Sequence, residues 1–341
     1  MGLSYPGTAP FPEALLQRWT LTALRSVTPT EAGHNNRSWV VETADATHVL
    51  RLYDNLGERA IRFEHALLRH LGRAGLPFAV PAPVETCAGD TLCVVPGDGD
   101  DTIRAALFHF LPGRHPAPDD PVAAARLGEA LAHLHPALKE AGAALGSPAV
   151  TGYGDLHHIH PRIADPLSVG DLLALEPEVK ARLRRATQRA LDNVGRLYSS
   201  LPTQLIHADY GHFNVLMAGG RVTAVLDFEF SCSDVRAMDL ASGVRHFGHA
   251  AWFEGGDFDL AERFVRGYAD VLPPDPAEID ALPDLMRLAE VVILIHWTGR
   301  WLQGIAERQQ VAGAAGRALR VDAALEARGA ELVERVRLAT R

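Results

Sequence analysis

The sequence predicts an α+β fold in two parts, a strand-rich amino-terminal domain with one helix, residues 1–110, and a larger, mostly helical carboxyl-terminal domain, residues 111–341. Three observations predict it. Short β-branched and aromatic runs fill the chain up to about residue 110, Ala/Leu/Arg-rich segments with helical spacing follow, and Leu111-Pro112-Gly113 punctuates the change. A chain of 341 residues also suits two packed units rather than one or three.

Taken in order, SWVVET (38–43), THVLRLY (47–53), TLCVV (91–95) and RAALFHF (104–110) read as strands, separated by turn residues such as Ala44-Asp45 and Gly89-Asp90. One helix interrupts them. In ERAIRFEHALLRHLGRAG (58–75), Ile61, Glu64, Leu67, Leu68 and Leu71 follow helical spacing, and Gly72 or Gly75 closes the end. Beyond the boundary, Pro112 to Pro121 reads as a linker or loop, and helical patterns cover 121–141, 175–200, 276–309 and 317–339 around one strand-and-loop island at 204–230.

Composition narrows the class of function. With 47% hydrophobic and 22% charged residues the chain is an ordinary globular protein, and its net charge of −9 argues against nucleic acid as the main partner. Cys87, Cys93 and Cys232 are too few for a disulfide framework, which points to a reducing, cytoplasmic setting. The first residues lack the charged and apolar regions of a secretion signal. The best aliphatic run, Val291 to Ile295, is far too short to cross a membrane.

The island carries the chemistry. In TQLIHADYGHFNVLMAGGRVTAVLDFEF, Gln204 to Ile206 and Val222 to Leu226 read as short buried strands, each feeding a polar residue at its end. This arrangement places Asp209 and Asp227 at one rim. Phosphoryl transfer from a nucleotide needs a carboxylate to orient the acceptor hydroxyl and hard oxygen ligands for Mg²⁺; Asp209 suits the first role, Asn214 and Asp227 the second. Any one of them alone is an ordinary turn or capping residue. The pattern H-x-D-x4-N, with a further Asp thirteen residues after the Asn, is specific.

On these residues the chain resembles the aminoglycoside-phosphotransferase/choline-kinase superfamily, whose bilobal fold is similar to that of protein kinases. The likeness runs over most of the chain. It implies a small antiparallel β lobe with one helix and a mostly helical second lobe, ATP as co-substrate with Mg²⁺, Asp209 as catalytic base and Asn214 and Asp227 as metal ligands. It also makes His207 structural and gives Asp239, in RAMDLA, the role of bracing the catalytic loop, although its spacing alone equally fits a helix cap.

The amino-terminal domain adds independent signals. Glu64 shares a face with Ile61, Leu68 and Leu71, and a carboxylate on a buried stripe requires a cation; Arg51, inside HVLRLY, is the natural candidate. Kinase-like folds pair a strand cation with a helix Glu to hold nucleotide phosphates, usually with Lys where this chain has Arg, and the two are not interchangeable. By the same resemblance, Gly33, Asn36 and Trp39 in EAGHNNRSWVVET belong to a phosphate-covering hairpin, and the adenine bonds the backbone at His109, Phe110 and Leu111.

For the acceptor, AALFHFLPGR, LGEALAHLH, IHADYGHFNV and D-F-x-F-x-C-x-D (Asp227 to Asp234) resemble the homoserine kinases of the superfamily, with Ala208 where aminoglycoside enzymes usually have Gly. Glu229, in DFEFS, instead resembles choline and ethanolamine kinases and is a possible acceptor-site residue. Residues 254–290 hold ten carboxylates against three arginines, which favours a cationic acceptor if they wall its site and otherwise describes solvated helix faces. The expectation is an ATP-dependent kinase for the hydroxyl of an amino-bearing metabolite, homoserine first. Its rivals are aminoglycoside or choline/ethanolamine phosphorylation and, from another class, a nucleotide-binding pseudokinase scaffold. His157, His158 and His160 read as loop histidines, and Trp297 and Trp301 as core aromatics.

Overall fold

The computed structural model describes residues 13–30, 36–96, 102–173, 175–253 and 255–341. The chain divides into two compact units, Met1–Arg69 with Pro81–Leu111 and His70–Val80 with Pro112–Arg341. The first contains α1 (Glu13–Leu16), β1 (Leu24–Pro29), β2 (Arg37–Thr43), β3 (Thr47–Leu52), α2 (Glu58–Leu71), β4 (Cys93–Pro96) and β5 (Thr102–His109). Its strands form one antiparallel sheet in the order β1-β2-β3-β5-β4. β1 goes beyond the expected strands. Its sequence, LRSVTP, has little strand propensity, and pairing with β2 through Val27 and Thr28 opposite Val41 and Val40 holds it.

The period of two along β3 and β5 decides what each face presents. Leu50, Leu52, Ala105 and Leu107 join Val41, Trp19 and Cys93 in one apolar core. Arg51 and Phe108 belong to the alternate set, where Arg51 meets Glu64 of α2 and Phe108 meets the His65 ring edge-on. Between sheet and helix runs a buried polar chain. The Tyr53 hydroxyl donates to Glu64 Oε2 (2.9 Å) and accepts from His65 Nε2 (3.2 Å), while His65 Nδ1 takes the Thr91 hydroxyl (2.9 Å).

Burial, and secondarily the Arg51 charge, pushes the His65 pKa down to about 4. The unfolded imidazole titrates near 6.5, so the unfolded state binds the extra proton between the two values. Stability from this residue is therefore complete above pH ~6.5 and falls as the pH drops through 4, by about 3 kcal/mol in all. Urea denaturation from pH 7.5 to 4.5 should show this loss in wild type and a flatter profile in His65→Gln.

The second unit follows as α3 (Pro121–Leu145), α4 (Val169–Leu172), α5 (Pro177–Ser200), β6 (Thr203–Ile206), β7 (Val215–Ala218), β8 (Arg221–Val225), β9 (Cys232–Val235), α6 (Ala237–Phe253), α7 (Asp259–Ala269), α8 (Pro276–Leu302) and α9 (Arg308–Ala339). β6 pairs with β9 and β7 with β8, both antiparallel. Gly219 and Gly220, both at positive φ, form the two-residue turn of the β7–β8 hairpin. The stretch from Pro112 to Asp120 is a loop, pinned where Arg114 and Met217 exchange backbone hydrogen bonds of 3.0 and 2.9 Å.

Besides the one-turn helices α1 and α4, several helical features differ from the sequence expectation. α6 and α7 were not expected. In α6, glycine and histidine lower local propensity, and burial of Met238, Leu240, Ala241, Val244 and Phe247 holds the helix instead. The helix read as 276–309 ends at Leu302 and α9 starts at Arg308. Gly304, at φ 77°, terminates α8: its amide bonds Trp301 O and that of Ile305 bonds Arg300 O, a pattern that the surrounding periodicity does not reveal. α3 and α7 pack at backbone contact, since a Cβ on Gly128 would fall 1.9 Å from Phe264 O and one on Gly267 2.0 Å from Ala125 O.

Candidate active site

The loop from His207 to Asn214 joins β6 to β7, and Asp227 follows β8, so two short strand ends deliver the polar residues of the island. Among the described residues, Ala208 (φ 68°) and Asp227 (φ 64°) are the non-glycine positions in the left-handed region. Each such residue costs about 1–2 kcal/mol and persists only where its surroundings hold it.

Asp239, fully buried near the start of α6, supplies much of that hold. Its two carboxylate oxygens accept the His207 amide (2.7 Å) and the Ala208 amide (2.8 Å). His135 Nε2, 3.3 Å away, and Tyr268, whose hydroxyl meets His135 Nδ1 at 2.7 Å, extend the network into α3 and α7. His207 works inside the loop. Its Nε2–H donates to Leu226 O (2.8 Å) and its Nδ1 accepts the Asp209 amide (3.2 Å), so one neutral ring ties the Asp209 segment to the end of β8. Burial lowers the His207 pKa, which keeps that tautomer neutral.

Asn214 folds back on Asp209. Its side-chain amide donates to the Asp209 carbonyl (2.8 Å) and to Asp209 Oδ2 (2.9 Å), a choice of acceptors that fixes which end of the amide faces away. Burial first and the nearby Asp227 charge second push the Asp209 pKa up to about 7, against the pull of Arg245 and the Asn214 bond. The outcome is a carboxylate poised near neutrality with a second carboxylate close by. Glu229, in the one-turn helix Phe228–Phe230, is buried.

In the amino-terminal unit, Arg51 Nη1 lies 3.5 Å from Glu64 Oε1, and the guanidinium sits 5.7 Å from the Phe108 ring centre. Asn36 accepts the Asp54 amide through Oδ1 at 3.3 Å. At the end of β5 the His109 and Phe110 amides are taken by the carbonyls of Ala82 and Thr47, and Leu111 follows directly. Gly33 lies outside the described residues.

Arginines, most of them from outside it, neutralise much of the acidic stretch after residue 254. Glu278 pairs with Arg236, Glu262 with Arg335, Asp280 with Arg337, and Asp284 with Arg196 and Arg287. Glu290, buried in α8, takes both Arg245 (2.9 Å) and Arg317 (2.8 Å). Neither that triad nor His135 was expected from sequence, since ion pairs across helices leave no local pattern. Trp297 and Trp301 are half-buried rather than core, and Arg300 lies 5.5 Å from the Trp297 ring centre. His157 and His158 are exposed, His160 is buried against Gln303, and no cluster of three or more His, Cys, Asp or Glu that could hold a metal occurs among the described residues.

This fold is shared with kinase-like phosphotransferases. A microcompartment-associated aminopropanol kinase superposes with a TM-score of 0.72 at 21% identity, covering 94% of this chain and 97% of the other. An aminoglycoside phosphotransferase from Alicyclobacillus acidocaldarius gives 0.65 at 17% identity, covering 97% and 98%. The model of the phosphotransferase enzyme family APH matches residues 26–282, and the chain belongs to that family. It is a kinase that acts on an alcohol group, with ATP as the family's co-substrate. Among curated relatives, a homoserine kinase of Methylorubrum populi is 32% identical over 301 residues (85% of each chain), and one of Rhodospirillum rubrum is 32% identical over 297 residues (84% of each). No helix among the described residues is long and apolar enough to cross a membrane.

Two experiments test the geometry. Asp239→Asn puts an N–H donor against a backbone amide that needs an acceptor, so turnover should fall by about 10²-fold and the melting temperature should drop. Unchanged turnover would remove Asp239 from the loop's support. A double-mutant cycle with Arg51→Met and Glu64→Gln should give a coupling of about 1 kcal/mol in unfolding free energy and weaken nucleotide binding in each single variant.

Proposed function

We propose that the enzyme transfers the γ-phosphate of Mg-ATP to the side-chain hydroxyl of homoserine or a close relative, with Asp209 as the catalytic base. The observation that carries this reading is geometric: the Asp209 carboxylate is held through Oδ2 by the Asn214 amide, on a loop fixed by Asp239 and His207. A carboxylate so placed can take the hydroxyl proton as the acceptor oxygen attacks phosphorus, and can release it afterwards.

Asn214 and Asp227 are the proposed Mg²⁺ ligands. They fit a hard cation: both offer oxygen, the Asn214 amide is turned so that its nitrogen faces Asp209, and the repulsion that raises the Asp209 pKa is what a cation would relieve. Bound there, the ion would offset charge on the β- and γ-phosphates. Arg51, steadied by Glu64, is the proposed contact to the α- and β-phosphates. Gly33 and Asn36 are proposed for the covering hairpin. The base would hydrogen-bond the His109–Phe110–Leu111 backbone, with the Leu111 amide as donor because the two before it are engaged. His207 and Asp239 support the loop.

Homoserine is favoured by two considerations. The homoserine kinases at 32% identity span most of both chains. The Arg245–Glu290–Arg317 triad sums to one positive charge in a largely buried setting and suits an acceptor bearing a carboxylate, while the buried Glu229 suits its ammonium. An amino alcohol is the second reading, favoured by the structural likeness to the aminopropanol kinase.

A coupled ADP-release assay over homoserine, amino alcohols, choline and aminoglycosides should give the highest kcat/KM with homoserine. Asp209→Asn should lower kcat by about 10²–10⁴-fold with the Mg-ATP Kd little changed, and Asp227→Asn should abolish metal-dependent turnover with the fold intact. Equal turnover in wild type and Asp209→Asn would end the assignment of the base. Mg-ATP binding with no acceptor-dependent turnover would favour a scaffold.

A further inference from the structure

The Ala208–Asp209 peptide sets the direction in which the Asp209 side chain leaves the loop. Its N–H side is fixed by His207 Nδ1. The opposite side, the Ala208 carbonyl, accepts the hydroxyl of Tyr153, a residue 55 positions earlier in the loop after α3. Ala208 is thus gripped at both ends: Asp239 takes its amide and Tyr153 its carbonyl, across a backbone angle that an L-residue rarely adopts.

Tyr153 is itself held. Its amide donates to Asp234 Oδ2 (2.6 Å), whose other oxygen accepts the Tyr198 hydroxyl of α5 (2.6 Å) and the Val235 amide (2.7 Å). The neighbours of Tyr153 are glycines for a steric reason. A Cβ on Gly152 would lie 2.7 Å from Asp234 Oδ2 and from Ser233 O, and one on Gly154 2.4 Å from the Tyr198 ring. This close seating delivers the phenol to Ala208. Burial and the Asp209 charge keep that phenol protonated, hence a donor.

We propose that Tyr153 is a positioning residue for the catalytic base: with Asp234 as its anchor, it holds Ala208 in the left-handed conformation and thereby aims Asp209 at the acceptor hydroxyl. The inference rests on the reading of Asp209 as base. It assigns a part to the Gly-Tyr-Gly turn and to Asp234 that the phosphoryl-transfer chemistry itself does not use. It also has a specific consequence, because glycine enters the left-handed region without a Cβ penalty. A glycine at position 208 should make the Tyr153 hydroxyl largely dispensable.

The test is a four-protein comparison of wild type, Tyr153→Phe, Ala208→Gly and the double variant, with Asp209→Asn as reference and the best acceptor of the panel as substrate. Tyr153→Phe should lower kcat about 10- to 100-fold with KM for ATP within twofold of wild type, as expected for a misaimed base. Ala208→Gly alone should stay within a few-fold of wild type. The double variant should regain most of the lost kcat. A purely structural tyrosine would instead lower the melting temperature without changing kcat, or lose kcat in a way that Ala208→Gly does not restore, and either result overturns the proposal. Should Tyr153→Phe fail to fold, Asp234→Asn, which loosens the anchor and keeps the phenol, must reproduce the kcat loss and its rescue, and absence of either overturns the proposal equally. An active Asp209→Asn would count against the base assignment, whereas an inactive one beside a fully active Tyr153→Phe would count against Tyr153 alone.

Discussion

The carboxylate of Asp239 is the interaction on which the candidate site depends. A left-handed residue in the middle of this loop is unfavourable by itself, and the amides of His207 and Ala208 are not satisfied by sheet or helix. Asp239 accepts both from within the core, and His135 and Tyr268 hold it there. The rest of the loop inherits its geometry from that contact: His207 can reach both Leu226 O and the Asp209 amide, and Asn214 can fold back on the Asp209 carboxylate.

Electrostatics in the second unit follows a division of labour. Carboxylates on α7 and α8 are answered by arginines from α5, α6 and α9, so the acidic character of that segment is spent on fastening helices together. Exposed pairs of this kind contribute about 0–1 kcal/mol each, whereas loss of the buried Glu290 would leave the buried Arg245 without its carboxylate. Asp209 stands apart from these pairs. Burial first and the Asp227 charge second raise its pKa, which agrees with the role of base proposed for it.

The amino-terminal unit solves a comparable problem with alternation. One strand, β3, sends Leu50 and Leu52 to the apolar core and Arg51 to Glu64, so a cation and a core share six residues. Tyr53 and His65 complete the hydrogen bonding of the buried glutamate side.

Local spacing alone determined a good deal: the strands β2 to β5, the amphipathic α2 with a glutamate on its buried stripe, the order of the island, and the H-x-D-x4-N pattern that carried the family resemblance. These are legible because period and spacing are properties of neighbouring residues. The helices α6 and α7, the strand β1 and the break at Gly304 were not legible, since burial, strand pairing and a single backbone angle decide them against local propensity. Only the tertiary structure brought Asp239, Tyr153 and His207 onto one turn, set Arg245 and Arg317 on Glu290, and turned the acidic stretch into ion pairs. The Asp239–Ala208, Tyr153–Ala208, Arg245–Glu290 and Arg317–Glu290 contacts join residues 27 to 55 positions apart, and no local pattern in a single chain encodes a meeting whose energy exists only once the core has closed around it.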